Sequence, residues 1–131
     1  MIDRDELRRI AQARLEDAEA LVRAGRYDGA IYICGYAVEM ALKARICETL
    51  NWSGYPSTRS EFQNYQTFRT HDLNVLLRLS GVENRIRMEF VTEWQAVTDW
   101  DPEVRYQAVG TASQRNAMLM IEATIALLRV L

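Results

Sequence analysis

One lysine, one histidine, two cysteines and two prolines are all that 131 residues contain of these types, and each scarcity removes a class of function. With His71 the only histidine, no metal site built on two or more imidazoles can form, and no nearby cysteine pair completes a zinc site. Cys34 and Cys47 fall in one predicted helix. Their separation corresponds to roughly 20 Å of helix axis, beyond the reach of a disulfide. They read as reduced core thiols of a cytoplasmic protein, in an interior where a thiolate nucleophile for His71 is costly. No run of 18 apolar residues exists, so no membrane-spanning helix is expected, and the charged opening MIDRDELRR lacks the apolar centre of an export signal. The glycines near the N-terminal third, Gly25, Gly29 and Gly35, are not followed by a Walker lysine; Gly29 and Gly35 read as close-packing positions in a helix. Strand alternation, internal repeats and low-complexity segments are missing too. The expectation is a chain without metal, cofactor or membrane segment.

Hydrophobic residues at 49% and charged residues at 26% lie near globular averages. With no linker-like stretch, residues 1–131 read as one domain with one core. The net charge of −2 gives no overall attraction to nucleic acid, so any such binding rests on a local patch.

The central stretch is 27–50, YDGAIYICGYAVEMALKARICETL, which is apolar on nearly every side and reads as a helix enclosed by others. Ala30, Cys34, Ala37 and Ala41 form a seam of small residues within about 60° of each other, where another backbone can approach closely. Opposite, Asp28, Tyr32, Tyr36, Glu39 and Lys43 make a polar and aromatic stripe about 80° wide. Glu39 and Lys43 stand at i,i+4 among apolar neighbours, so the pair is expected to be part-buried and to need further partners.

Before this stretch, Asp3 with Glu6 reads as a capping pattern for an amphipathic helix over 3–24, with Asp5/Arg9 and Glu19/Arg23 pairs on its wet face. After it, residues 51–70 lose all period. Twenty residues without structure are uncommon in a compact domain, so this loop is expected to be functional, partly helical near 60–65, or packed through Trp52, Tyr55, Phe62, Tyr65 and Phe68. Base stacking by these rings beside Arg59 and Arg69 is the alternative to core lining. Thr70 then reads as the cap of a short helix over 71–80 stopped by Gly81. In its first turn, His71 is expected to be neutral and hydrogen-bonding. One helix follows over 83–98, broken by the proline of WDP. A linker or single turn at 103–110 and a last helix over 112–131, capped by Thr111 with Gln114, complete an all-α, up-and-down bundle of four to five helices. Trp94, Trp100 and the aromatic loop offer more large apolar groups than one small core encloses, which predicts a homodimer.

The run YDGAIYICGYAVEMALKARI, FRTHDLNVLL after a long loop, a tryptophan-bearing helix, and VRY before a final helix together resemble the HEPN domain family. The resemblance covers nearly the whole chain. It implies a helical bundle, often dimeric, found beside minimal nucleotidyltransferases, in toxin–antitoxin pairs and in RNA-targeting defence systems. The family's catalytic members are metal-independent ribonucleases that use Arg, four to six residues, then His. Here Arg105 is followed by no histidine, and no arginine stands at that spacing before His71. The resemblance therefore implies the non-nucleolytic branch: a non-catalytic module that binds a nucleotide or RNA, or partners a nucleotidyltransferase. An atypical ribonuclease-type toxin using His71 and Arg105 is the alternative. The expected site gathers Lys43, His71, Arg105 and Tyr106, supported by Glu39 and Asp72, either as donors to a phosphate with Tyr106 against a base or as a structural lock in which Arg105 pairs with Glu39.

Overall fold

A computed structural model describes residues 1–131. It is an all-α bundle of seven α-helices and two short 3-10 turns, with α1 at Arg4–Arg23, α2 at Tyr27–Thr49, α3 at Arg59–Phe62, α4 at Leu73–Leu79, α5 at Glu83–Glu89, α6 at Val91–Val97 and α7 at Gln114–Val130. None is long and apolar enough to cross a membrane.

α2 is the axis. Eleven of its residues are buried, including the whole small-residue seam of Ala30, Cys34, Ala37 and Ala41. Helix α1 lies antiparallel along it through Leu7, Ala11, Leu15 and Ala18, after a tight reversal at Gly25, whose φ of +75° a side chain would strain. α7 closes the seam from the other side, where the Cys34 thiol donates to Thr124 Oγ1 at 3.2 Å. Burial, opposed weakly by that bond, pushes the Cys34 thiol up to about 11, which keeps it protonated. Gly35 faces Trp100 so closely that a Cβ there would overlap the indole. Its use as a packing glycine is real, whereas at Gly29 a Cβ meets only ordinary contacts with Leu21.

Several local expectations are corrected. Asp3 does cap α1, accepting from the Asp5 and Glu6 amides, but Glu6 turns to Arg9 and not back to the cap. The wet-face pairs are Arg9–Glu6, Arg14–Asp17 and, across to α2, Arg8–Glu48, in place of Asp5/Arg9 and Glu19/Arg23. A two-residue antiparallel pairing of Ile2–Asp3 (β1) with Gly54–Tyr55 (β2) ties the chain start to the long loop, too short for any alternation to announce it. α4 starts at Leu73 with Asp72 as its cap, because the Asp72 carboxylate accepts from the Asn74 and Val75 amides while Thr70 is spent on the Asp72 amide. Residues 83–98 are two helices and not one, broken at Phe90 (φ −127°, ψ 36°). Ile86 on the first and Trp94 on the second are both buried. For α7 the capping box is Ser113 with Asn116, two residues later than Thr111 and Gln114.

The long loop is mostly structure. It holds α3 and a 3-10 turn at Gln66–Phe68, and its rings pack in a chain: Trp52 edge-on to Tyr65 and tilted against Phe68, Tyr55 edge-on to Phe62 and Phe68. Tyr55 also donates its hydroxyl to Phe68 O at 2.6 Å. Trp94 and Trp100, which carried the expectation of a dimer, are 4% and 5% exposed inside the chain's own core. Trp94 is held by a polar knot, its indole N–H and the Thr98 hydroxyl both donating to Asn74 Oδ1.

Candidate functional site

Glu39 is the one charged residue in the core. It is 1% exposed, and a buried carboxylate needs compensation at both oxygens. Lys43, one turn on, donates to Oε2 at 3.1 Å, and His71, arriving from the end of the long loop, meets Oε1 through Nδ1 at 2.8 Å. A carboxylate ionised against Lys43 has no proton to give, so Nδ1 carries the hydrogen and Nε2 is the ring nitrogen left to other partners. His71 lies before the cap of α4 and not in its first turn, which is why its ring reaches across to α2. Its side chain is 62% exposed while that of Lys43 is 13% exposed. The amine also lies 5.2 Å over the Tyr55 ring, a second partner in a half-dry setting.

Lys43 and His71 open onto a pocket of about 450 Å³ together with Arg69, Ser57 and Thr70, above a floor of Met40, Tyr55 and Phe62. No carboxylate lines it. Arg69 makes no ion pair; its guanidinium rests 5.8 Å over the Phe62 ring. The sequence reading treats Arg69 only as a neighbour of aromatic residues. No periodic signal marks it, because Arg69 is the centre of a tight turn (φ −86°, ψ 76°) closed by the Thr70 amide donating to Phe68 O at 3.1 Å.

The structure brings Glu39, Lys43 and His71 together and leaves Arg105 and Tyr106 outside that knot. A 3-10 turn at Pro102–Tyr106 carries both. Arg105 donates to Pro102 O at 2.7 Å, lies 3.8 Å from Glu103 and stacks 4.5 Å from the centre of the Tyr106 ring. The expected Arg105–Glu39 pairing is not made, since Lys43 and His71 already occupy both carboxylate oxygens. Tyr106 is 72% exposed. Asp72 supports the site through the backbone, by capping α4, and not by contact with a ligand pocket.

Arg105 instead reaches the other end of the α2 stripe. With Asp28, Tyr32 and Val104 it lines a smaller pocket of about 210 Å³. Asp28 is occupied there: its carboxylate accepts from the Gly110 amide at 2.7 Å and the Ala112 amide at 2.8 Å, which hold it below the usual carboxylate range. Between the two pockets stand Tyr32 and Tyr36, hydroxyls 3.4 Å apart, with Tyr36 edge-on to Trp100. Burial, then the bond with Tyr32, pushes the Tyr36 hydroxyl up to about 12, and the positive charge of Arg105 acts against this. No group of three or more His, Cys, Asp or Glu side chains is placed to hold a metal ion.

The family model of the HEPN domain matches residues 5–60. No curated protein and no solved structure matches the chain. The matched stretch holds α1, α2 and the first part of the long loop, so Glu39 and Lys43 lie inside it while Arg69, His71 and Arg105 lie beyond. Residues 5–60, in which Glu39 and Lys43 stand, are thus similar to the HEPN domain, and the rest of the sequence wraps them into an all-α bundle.

Proposed function

We propose that this HEPN-domain protein is a non-catalytic binding module that takes a phosphate of a nucleotide or RNA in the pocket above Glu39. The observation that carries the proposal is the cationic pair of Lys43 and Arg69 around a pocket with no lining carboxylate, with Nε2 of His71 beside them as a donor once it is protonated. Glu39 serves this set from below. It neutralises Lys43 when the pocket is empty and fixes the ring of His71, so an arriving phosphate meets donors whose geometry is already set. The apolar floor suits the sugar or base attached to that phosphate. Action with a minimal nucleotidyltransferase, as in a toxin–antitoxin pair, and a homodimeric state belong to the same proposal, on the strength of the family.

The test is calorimetric titration with a nucleoside monophosphate and with inorganic phosphate. Arg69→Ala removes an exposed side chain and should weaken binding at least tenfold with the melting temperature nearly unchanged, whereas His71→Ala should weaken it as much and also lower the melting temperature, because Oε1 of the buried Glu39 loses its partner. Binding that ignores both changes sinks the proposal. For the partnership, a nucleotidyltransferase encoded by the adjacent reading frame should co-purify with the tagged chain; separate elution refutes it. Light scattering giving a mass of about 15 kDa at micromolar concentration refutes the dimer.

One observation favours the ribonuclease alternative: a carboxylate-held imidazole with a free Nε2 is also the form of a general base. The alternative paired His71 with Arg105, and these two line different pockets. RNA cleavage by the purified chain, lost in His71→Ala, would establish this reading over the binding one.

A further inference from the structure

Two side chains share the buried Glu39 carboxylate, and they differ in how they come by their charge. The Lys43 ammonium is already charged, whereas the His71 ring, bound to Oε1 through Nδ1, becomes so only by gaining a proton at Nε2, which has no partner in the chain. With that ring neutral, Lys43 and Arg69 set against Glu39 leave one net positive charge at the pocket; a proton on Nε2 makes it two. The first state matches the single charge of a phosphodiester, and the second the double charge of a phosphate monoester. We infer that the pocket is a proton-coupled site for a terminal phosphate monoester, whose dianion binds with uptake of one proton at His71 Nε2, and that the diesters inside a strand are not its ligand. The inference rests on the phosphate-binding reading of the pocket and adds the charge, and so the chemical class, of the group it takes.

The surroundings of the ring favour this exchange. From α2, Glu39 at 1% exposure accepts from Nδ1 at 2.8 Å, so a proton on Nε2 gives an imidazolium that is already paired with a carboxylate. Lys43 on α2 and Arg69 in the preceding turn oppose a third positive charge while the pocket is empty. A dianion reverses that balance by facing all three. The remaining groups stay out of the exchange. Asp72, next along the chain, turns its carboxylate to the Asn74 and Val75 amides. Burial pushes the Tyr36 hydroxyl on α2 up to about 12 and raises the Tyr55 hydroxyl on β2 and the Cys47 thiol as well, so none of them gains or loses a proton near neutrality. β1 and α3 bring only the neutral Ile2 and Phe62 to the pocket.

Calorimetric titration with sulfate, a dianion whose charge does not change near neutral pH, tests this directly when run in two buffers of different ionisation enthalpy. The difference in heat counts protons: at least half a proton should be taken up per sulfate near pH 7.5, and affinity should fall at least tenfold from about pH 6.5 to about pH 8.5. Methyl phosphate should bind at least tenfold more tightly than dimethyl phosphate at pH 7.5. His71→Gln keeps an N–H for Glu39 but cannot take the proton, so it should bind sulfate without uptake and with affinity constant to within about twofold across that range. The proton count on the unaltered chain stands whether or not the variant folds. No uptake, a pH slope that survives in a folded His71→Gln, or dimethyl phosphate bound as tightly as methyl phosphate overturns the monoester site and leaves the pocket standing. If sulfate and both phosphate esters fail to bind at every pH, the pocket falls with it.

Discussion

Separating Glu39 from Lys43 is the perturbation that reads the interior of this site most directly. At 1% exposure Glu39 has no access to water, and Lys43 at 13% has little, so the removal of either charge strands the other. Breaking a buried pair from one side costs about 3–5 kcal/mol, whereas replacing both partners is often nearly neutral. The remaining exposure of Lys43 lets its amine shift toward solvent, and the Tyr55 ring gives it a second partner, so the lower part of that range applies to Glu39→Gln, about 3 kcal/mol. Lys43→Met leaves the carboxylate with His71 alone and should cost about the same. In the double variant Glu39→Gln/Lys43→Met, the amide oxygen still accepts from His71 and no charge is buried, so a coupling energy of at least about 2 kcal/mol is expected. Urea unfolding of the four proteins, monitored by the tryptophans, gives the cycle. At about 4 °C per kcal/mol for a chain of this size, each single change should lower the melting temperature by roughly 12 °C and the double by much less. Single changes costing under about 0.5 kcal/mol, or costs that simply add, would show that the pair is solvated and that Glu39 organises nothing.

Two further outcomes follow from particular contacts. Gly35→Ala drives a methyl into the Trp100 indole and should destabilise by about 1–3 kcal/mol or more, with a change in tryptophan fluorescence, while Gly29→Ala, where space exists, should be neutral or slightly stabilising; the reverse order in thermal melts contradicts the α2–Trp100 packing. The Asp28 carboxylate, held below its ordinary value by the Gly110 and Ala112 amides, contributes stability that is fully present above about pH 4 and disappears as pH falls through the depressed value. Asp28→Asn should therefore be less stable than the parent at pH 6–7, with the gap closing in strong acid; a gap that does not change with pH, or none at all, rules out that role.

The identity of the bundle was readable along α2 because a helix apolar on all sides leaves its neighbours only one place to be, and the seam of Ala30, Cys34, Ala37 and Ala41 named the side of closest approach. Likewise the i,i+4 relation of Glu39 and Lys43 is fixed by helix geometry alone and survives in the structure unchanged. Whatever depends on residues distant in sequence was not readable in this way. The break at Phe90 has no proline or glycine to announce it. Trp100 looked like surplus apolar surface until Gly35 provided its slot, 65 positions earlier in the chain. The partition of the site was decided the same way. Sequence supplied Lys43, His71, Arg105 and Tyr106 as one group, but a carboxylate has two oxygens, and the fold delivered Lys43 and His71 to both of those on Glu39 while the Pro102–Tyr106 turn set Arg105 down beside Tyr32. Local periodicity determines which residues share a helix face; only the packing of the loops against that face determines which of the remaining charges arrive there, because their reach is set by chain reversals that carry no period of their own.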